Sequence, residues 1–311
     1  MDVLSDILSH LQLSGTLYFR TSFTSPWSIK VPSYEKVARF HYADQGRCLI
    51  RVGKELTPVT LEQGDLIIIM RGATHVLYCD PTTENQAVKL DRVVEESGYN
   101  GSGALVYGGE RGTHHETQLV CGHFSFAKNV SHMLIDALPS YIHIRNYGET
   151  SGRWMENTLR VIGNEVGRAE MGGDLIGLKM SEIIFAQALR DYLNTEGADR
   201  PVLSGFSNPN IARALTAVHN DPAYPWTLGQ LATIAGLSRT SFAMKFVKCM
   251  LVTPMNYITN WRMQVASQKL LKTDDPIIKI AEEVGYQSEA AFGRVFKKYH
   301  RTAPATYRRQ A

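Results

Sequence analysis

The sequence predicts an α+β multidomain protein: a small β-barrel or sandwich at the N-terminus, a helical middle segment, and an all-α C-terminal part with two helix-turn-helix units. Three observations predict it. Residues 1–145 hold short alternating stretches, among them Lys36 to Val52, Leu66 to Met70, Ala104 to Tyr107 and Gln118 to Phe126, separated by Gly, Pro and Asp turns. Further on, Gly152 to Gly167 and Asp174 to Glu196 carry apolar residues at helical spacing, and the second is apolar on more than one side. Finally, the last hundred residues write one pattern twice, about 50 positions apart.

The first copy of that pattern runs Leu231-Ala232, Gly236, Phe242, Phe246, Pro254, Tyr257, and the second Ile280-Ala281, Gly285, Phe292, Phe296, Pro304, Tyr307. A Gly closing a short helix, followed by a turn and a second helix with Phe at i and i+4, is how a helix-turn-helix reads. Thr227-Leu228-Gly229-Gln230 fits a capping box, and Asp275-Pro276 offers an N-cap acceptor with Pro at the first helical position. Thr253-Pro254 opens a helix to about Leu271, a connector long enough to hold two recognition helices about one DNA turn apart.

Charge follows the same division. Residues 205–311 hold 14 Lys and Arg against 6 Asp and Glu, a net +8, while residues 1–204 carry a net −5. A basic balance at the repeat favours neutralisation of phosphates and counterion release, the sequence-independent part of affinity for double-stranded DNA.

The stretches LGQLATIAGLSRTSFAMKF, TPMNYITNWRMQVASQKLL and IIKIAEEVGYQSEAAFGRVFKKY with APATYRR make Trp226 to Arg309 resemble the DNA-binding domain of AraC/XylS-type transcription regulators. The resemblance implies helix-turn-helix units at about 227–248 and 276–298, bridged by one helix. It departs in one place. The Gly usually found two residues before the Ser/Thr/Ala-Pro step is Leu251 in one copy and Arg301 in the other, so a left-handed helix end there costs about 1 kcal/mol or the turn takes another shape.

The Phe pairs turn one side of each recognition helix to the core and leave the other for DNA. The first presents Arg239, Thr240, Ala243, Met244 and Lys245, the second Glu289, Ala290, Gly293, Arg294 and Lys297. Ala and Met make only apolar contacts, for example with thymine methyls, whereas Arg294 can take a guanine bidentately and Glu289 can accept from cytosine N4. Base readout is therefore expected mainly in the second helix. The alternative for each is a phosphate contact for Arg294 and a helix cap for Glu289.

Gly64-Asp65-Leu66-Ile67-Ile68-Ile69-Met70-Arg71-Gly72-Ala73-Thr74-His75 fits the second cupin motif, with Met70 in place of Pro. With the Phe40-His41-Tyr42 and Leu119 to Phe124 strands, the N-terminal region is similar to the cupin-like effector domains fused to some of these regulators. Cupins often hold a metal on two His and a Glu plus the His of the second motif. Here only His41 and His75 match; His114, His115, Cys121 and His123 lie elsewhere, in no recognised ligand spacing. No metal or other cofactor is expected, and His41, His75, Cys121 and His123 are candidates for binding a small organic effector.

Cys48, Cys79, Cys121 and Cys249 form no C-x-x-C or zinc-finger spacing. The chain shows no signal peptide and no apolar run of membrane-spanning length, so a cytoplasmic protein with reduced thiols is expected, with no membrane partner. The resulting division is 1–145 effector domain, 146–198 helical dimerisation and coupling segment, 199–209 linker, and 210–311 DNA-binding domain. The function expected is a ligand-responsive, dimeric transcription activator that contacts promoter half-sites and RNA polymerase, and not an enzyme. The alternatives are a metal-dependent cupin enzyme tethered to DNA, which needs a complete ligand cage, and a regulator that senses oxidants through its cysteines.

Overall fold

The computed structural model describes residues 2–11, 13–35, 37–101, 103–110, 116–126, 132–146 and 171–309. The expected helix Gly152 to Gly167, and His114 and His115, lie outside the described residues. Contacts divide the chain into two compact units: one of Leu13–Lys128 and Leu138–Tyr192, the other of Met1–Gln12, Asn129–Ala137 and Leu193–Ala311.

The first unit is built on two sheets. One has the order β11-β6-β3-β10-β1-β9 and the other β5-β4-β7-β2-β8. The strands are β1 Ser14–Thr24, β2 Ser28–Val31, β3 Val37–Gln45, β4 Cys48–Val52, β5 Val59–Leu61, β6 Leu66–Ile69, β7 His75–Tyr78, β8 Val88–Lys89, β9 Ala104–Gly108, β10 Glu116–Ser125 and β11 Tyr141–Ile144. Alternation sends one residue in two inward, so Phe23, Ile67, Leu105, Leu119 and Cys121 of one sheet share a core with Trp27, Ile29, Ile50 and Leu77 of the other. The 64–75 motif forms a strand, a tight turn and a strand: Gly64 and Gly72 take positive φ, and Met70, where Pro was expected, is buried. At Gly72 a side chain is impossible, because a Cβ would lie 1.6 Å from the Tyr34 carbonyl. Among the described residues this unit also holds the α-helix Leu90–Ser97 and most of the long helix Gly173–Asn194, whose Phe185 packs on Phe124.

The second unit is helical. In chain order it holds α1 Val3–Leu11, α2 Met133–Asp136, α3 Leu203–Ser207, α4 Pro209–Asn220, α5 Leu228–Ala235, α6 Arg239–Met250, α7 Pro254–Lys272, α8 Ile277–Glu283, α9 Glu289–His300 and α10 Pro304–Arg309. Three features differ from the sequence expectations. The helix α1, with Val3, Ile7 and Leu11 buried, groups with this unit and not with the sheets. Residues 203–207, expected within the 199–209 linker, form a packed helix in which Leu203 and Phe206 are buried and Gly205 sits against Met250. And the N-cap of α8 is Pro276, one residue later than expected, with no side-chain cap, while the Asp275 carboxylate accepts from Lys279 Nζ at 2.8 Å.

Candidate functional site

The helix-turn-helix geometry grows from its caps. Thr227 and Gln230 form the full capping box of α5, and Gly236 ends that helix in the left-handed conformation. Ser238 then caps α6 by accepting from Ser241 N, and Ser288 caps α9 by accepting from Ala291 N. In both copies the Phe pair is buried, and the later Phe meets an aromatic from the next helix edge-on: Phe246 and Tyr257 at 5.9 Å, Phe296 and Tyr307 at 5.4 Å. The bridging α7 has 19 residues, a rod of about 28 Å.

With that side committed to the core, Arg239, Thr240 and Met244 of α6 and Glu289, Ala290, Arg294 and Lys297 of α9 stand exposed. Ala243, Gly293 and Lys245 are half-buried, and Lys245 Nζ donates to Asn210 Oδ1 at 3.2 Å. Gly293 is informative because nothing lies within 4 Å of the place its Cβ would take. A mid-helix Gly costs about 1 kcal/mol relative to Ala, and here no packing demands it. Leu251 and Arg301, at the positions where Gly was expected, do adopt the left-handed C-cap, at φ 57° and 62°.

In the sheet unit the structure brings together three of the four candidate effector residues. His41 on β3 and His75 on β7 reach across the core, Nε2 to Nε2 at 2.9 Å, and His41 Nδ1 lies 3.1 Å from Cys121 Sγ. Donor directions follow from one end. The Ala73 carbonyl only accepts, so His75 Nδ1–H donates to it at 3.0 Å; His75 Nε2 then accepts from His41 Nε2–H, and His41 Nδ1 accepts the Cys121 thiol. Every group in that chain is neutral. Burial pushes His41 well below the usual imidazole range, with His75 and Arg39 adding to it; burial pushes His75 down to about 4 and the Cys121 thiol up to about 12. The adjoining cavity is about 20 Å³, room for one water and not for an organic effector. His123, two residues along β10, is half-buried and stands in register with Arg39, whose guanidinium lies 4.4 Å from the Tyr34 ring centre.

A cupin metal cage does not fit this set. His41 and His75 use their facing nitrogens on each other, and among the described residues no group of three or more His, Cys, Asp or Glu side chains is placed to hold an ion. Burial and neighbouring thiols raise the Cys48 thiol as well, so it too is protonated. Among the described residues no helix is long and apolar enough to cross a membrane.

A buried polar cluster joins α1, α4 and α7 of the helical unit. His219 Nδ1–H donates to Asp6 Oδ2 at 2.8 Å, Tyr257 O–H donates to His219 Nε2 at 2.7 Å, and the His219 ring stacks on Trp261 at 3.8 Å. His132 caps α2 by accepting from Leu134 N and meets Trp261 edge-on. Within the helical unit, α1 and the α2 segment are thereby held on α4 and α7. The Val3, Ile7, Leu11 spacing is the signal that could have revealed α1.

A sheet domain followed by paired helix-turn-helix units with basic, exposed recognition helices defines a DNA-binding regulator. Comparison gives the family. Residues 2–194 match the cupin model and residues 231–310 the helix-turn-helix domain model, and the chain belongs to the AraC-type transcription regulators with an N-terminal cupin domain. It is 29% identical to a Streptomyces antibioticus protein named as an AraC-like transcription regulator, over 99% of both chains. It is 27% identical to the HTH-type transcriptional regulator AlkR of Acinetobacter baylyi over the whole of both. With the RCS-specific HTH-type transcriptional activator RclR of Escherichia coli it shares 24%, over 99% of this chain and 97% of that one.

Proposed function

We propose that this regulator is a cytoplasmic, dimeric activator that reads promoter half-sites with α6 and α9 and changes its use of RNA polymerase when a small molecule binds the sheet unit. The observation that carries it is the pair of recognition faces: Arg239, Thr240 and Met244 stand exposed beside half-buried Ala243 and Lys245 on one, and Glu289, Ala290, Arg294 and Lys297 stand exposed beside half-buried Gly293 on the other. Arg294 and Glu289 supply directional readout. Gly293, bare of packing, lets the helix backbone approach the duplex closely. Lys245 serves as a phosphate contact once it leaves Asn210.

Dimer formation rests on Gly173–Asn194, whose Leu175, Ile176 and Ile183 are exposed at helical spacing. Activation rests on the activator named among the relatives. A cysteine-based alternative draws on that relative's name and on the Cys121–His41 contact, but a buried, protonated thiol reacts slowly until the chamber opens. Selection of binding sites from random duplexes with the full chain, repeated with Arg294→Ala, tests the proposal. Loss of discrimination at one base position supports it; equal weakening on all sequences makes Arg294 a phosphate contact.

A further inference from the structure

Aligning Phe242 and Phe246 of α6 with Phe292 and Phe296 of α9 places Thr240, Met244, Val247 and Leu251 opposite Ala290, Arg294, Lys297 and Arg301. All eight of these residues are exposed. Where the second unit presents three cations, the first presents three apolar side chains, with Met244 65% and Leu251 63% exposed. Single exposed apolar residues are ordinary, but a row of them on one helix face marks a contact surface. Thr240, Met244 and Val247 follow one another at i, i+4 and i+7, which sets them on one stripe about 10 Å long, on the side of α6 away from Phe242 and Phe246.

Two features decide what this stripe meets. The charged residues of α6 are Arg239, Lys245 and Lys248, all cations, and the helix holds no Asp or Glu, so the surroundings of the stripe favour a polyanion over a protein of mixed charge. Thr240, Met244 and Val247 all end in methyl groups. The apolar group that a base edge offers in the major groove is the C5 methyl of thymine, and cytosine carries one in the same place when methylated at that carbon. An unbranched thioether bends to follow such a methyl, and it has only a weak acceptor with which to tell O4 of thymine from N4 of cytosine.

We infer that α6 reads the C5 methyl groups of pyrimidines in the major groove, with Met244 as the central contact and Thr240 and Val247 on either side of it, so that thymine and 5-methylcytosine are bound more tightly than uracil and cytosine. This rests on the proposal that α6 and α9 face DNA, and it gives the two units different work. The second unit holds its half-site through charge and directional hydrogen bonds, which salt weakens. The first adds methyl contacts that release no counterions and keep their value in salt. Methylation of a cytosine under Met244 then raises affinity with no change of base sequence.

The test uses the full chain and a duplex that it selects from a random pool. Each thymine is replaced in turn by deoxyuridine, which pairs identically and lacks only the methyl. One or two replacements are expected to weaken binding about fourfold, the worth of one buried methyl, and to do so equally at low and high salt. That penalty is expected to vanish in Met244→Ala, to persist in Met244→Leu and to be untouched by Arg294→Ala. A C·G pair put at the sensitive position is expected to bind more tightly when its cytosine carries the 5-methyl group. The absence of any uracil-sensitive position, or the same penalty in Met244→Ala, overturns the inference and leaves the stripe to a protein partner, while base selection by the two faces stands. Failure of the chain to select any duplex overturns both.

Discussion

His219 donates a hydrogen bond from Nδ1 to Asp6 Oδ2 at 2.8 Å, across 213 positions of sequence. The pair makes α1 part of the helical unit. Burial opposes ionisation of Asp6, but hydrogen bonds from His10 and His219 outweigh it and hold the carboxyl well below the usual range. Burial dominates at His219 and keeps the ring neutral, so the bond is one of a neutral donor to a carboxylate. Asp6→Asn is expected to lower stability by about 1–3 kcal/mol, read as a lower denaturant midpoint. An unchanged midpoint would mean that α1 contributes little to the unit.

The buried histidines set a pH dependence. Burial pushes His132 down to about 3, with His219 and His10 adding to it, and pushes His75 down to about 4, against an ordinary value of 6.5. Between those values the unfolded chain holds protons that the folded chain refuses, so stability is full above pH 6.5 and falls as pH drops toward 4. Denaturation midpoints from pH 7 downward check this. His132→Asn keeps the N-cap acceptor and removes the titration, and it is expected to flatten the slope. A slope identical to wild type would assign the loss to other groups.

Leu251 and Arg301 end α6 and α9 in the left-handed conformation, and both are exposed. Replacing either by Gly relieves the Cβ strain, and each change is expected to stabilise the protein by about 1 kcal/mol. Thermal unfolding of the two variants and their double measures it. Destabilisation would show that the exposed side chains contribute more than the strain costs.

Gly293→Ala is expected to act with opposite signs on two properties. The added methyl meets nothing within 4 Å, so helix propensity alone should stabilise the fold by about 1 kcal/mol. If Gly293 faces DNA as proposed, the same methyl holds the helix off the duplex, and operator affinity is expected to fall. Equal or tighter binding would remove Gly293 from the interface.

Much of the fold was legible because it depends on local chemistry. The paired pattern ending at Tyr257 and Tyr307, the Thr227–Gln230 capping box and the 64–75 turn are each written within a few residues. What was illegible is tertiary. Asp6 and His219 meet only in the fold, and Gly205, which reads as linker, is small because Met250 presses on it. In the sheet unit, His41, His75 and Cys121 could be nominated singly. That they satisfy one another around a water-sized space depends on strand register.

The two recognition faces together are expected to make this chain a sequence-specific regulator. Genome-wide mapping of the full chain on its host's DNA, in parallel with Arg294→Ala, tests it most directly. Discrete paired half-sites about one or two helical turns apart near promoters are expected, with occupancy lost or redistributed in the variant. Occupancy without discrete sites, or an unchanged map for Arg294→Ala, would contradict it.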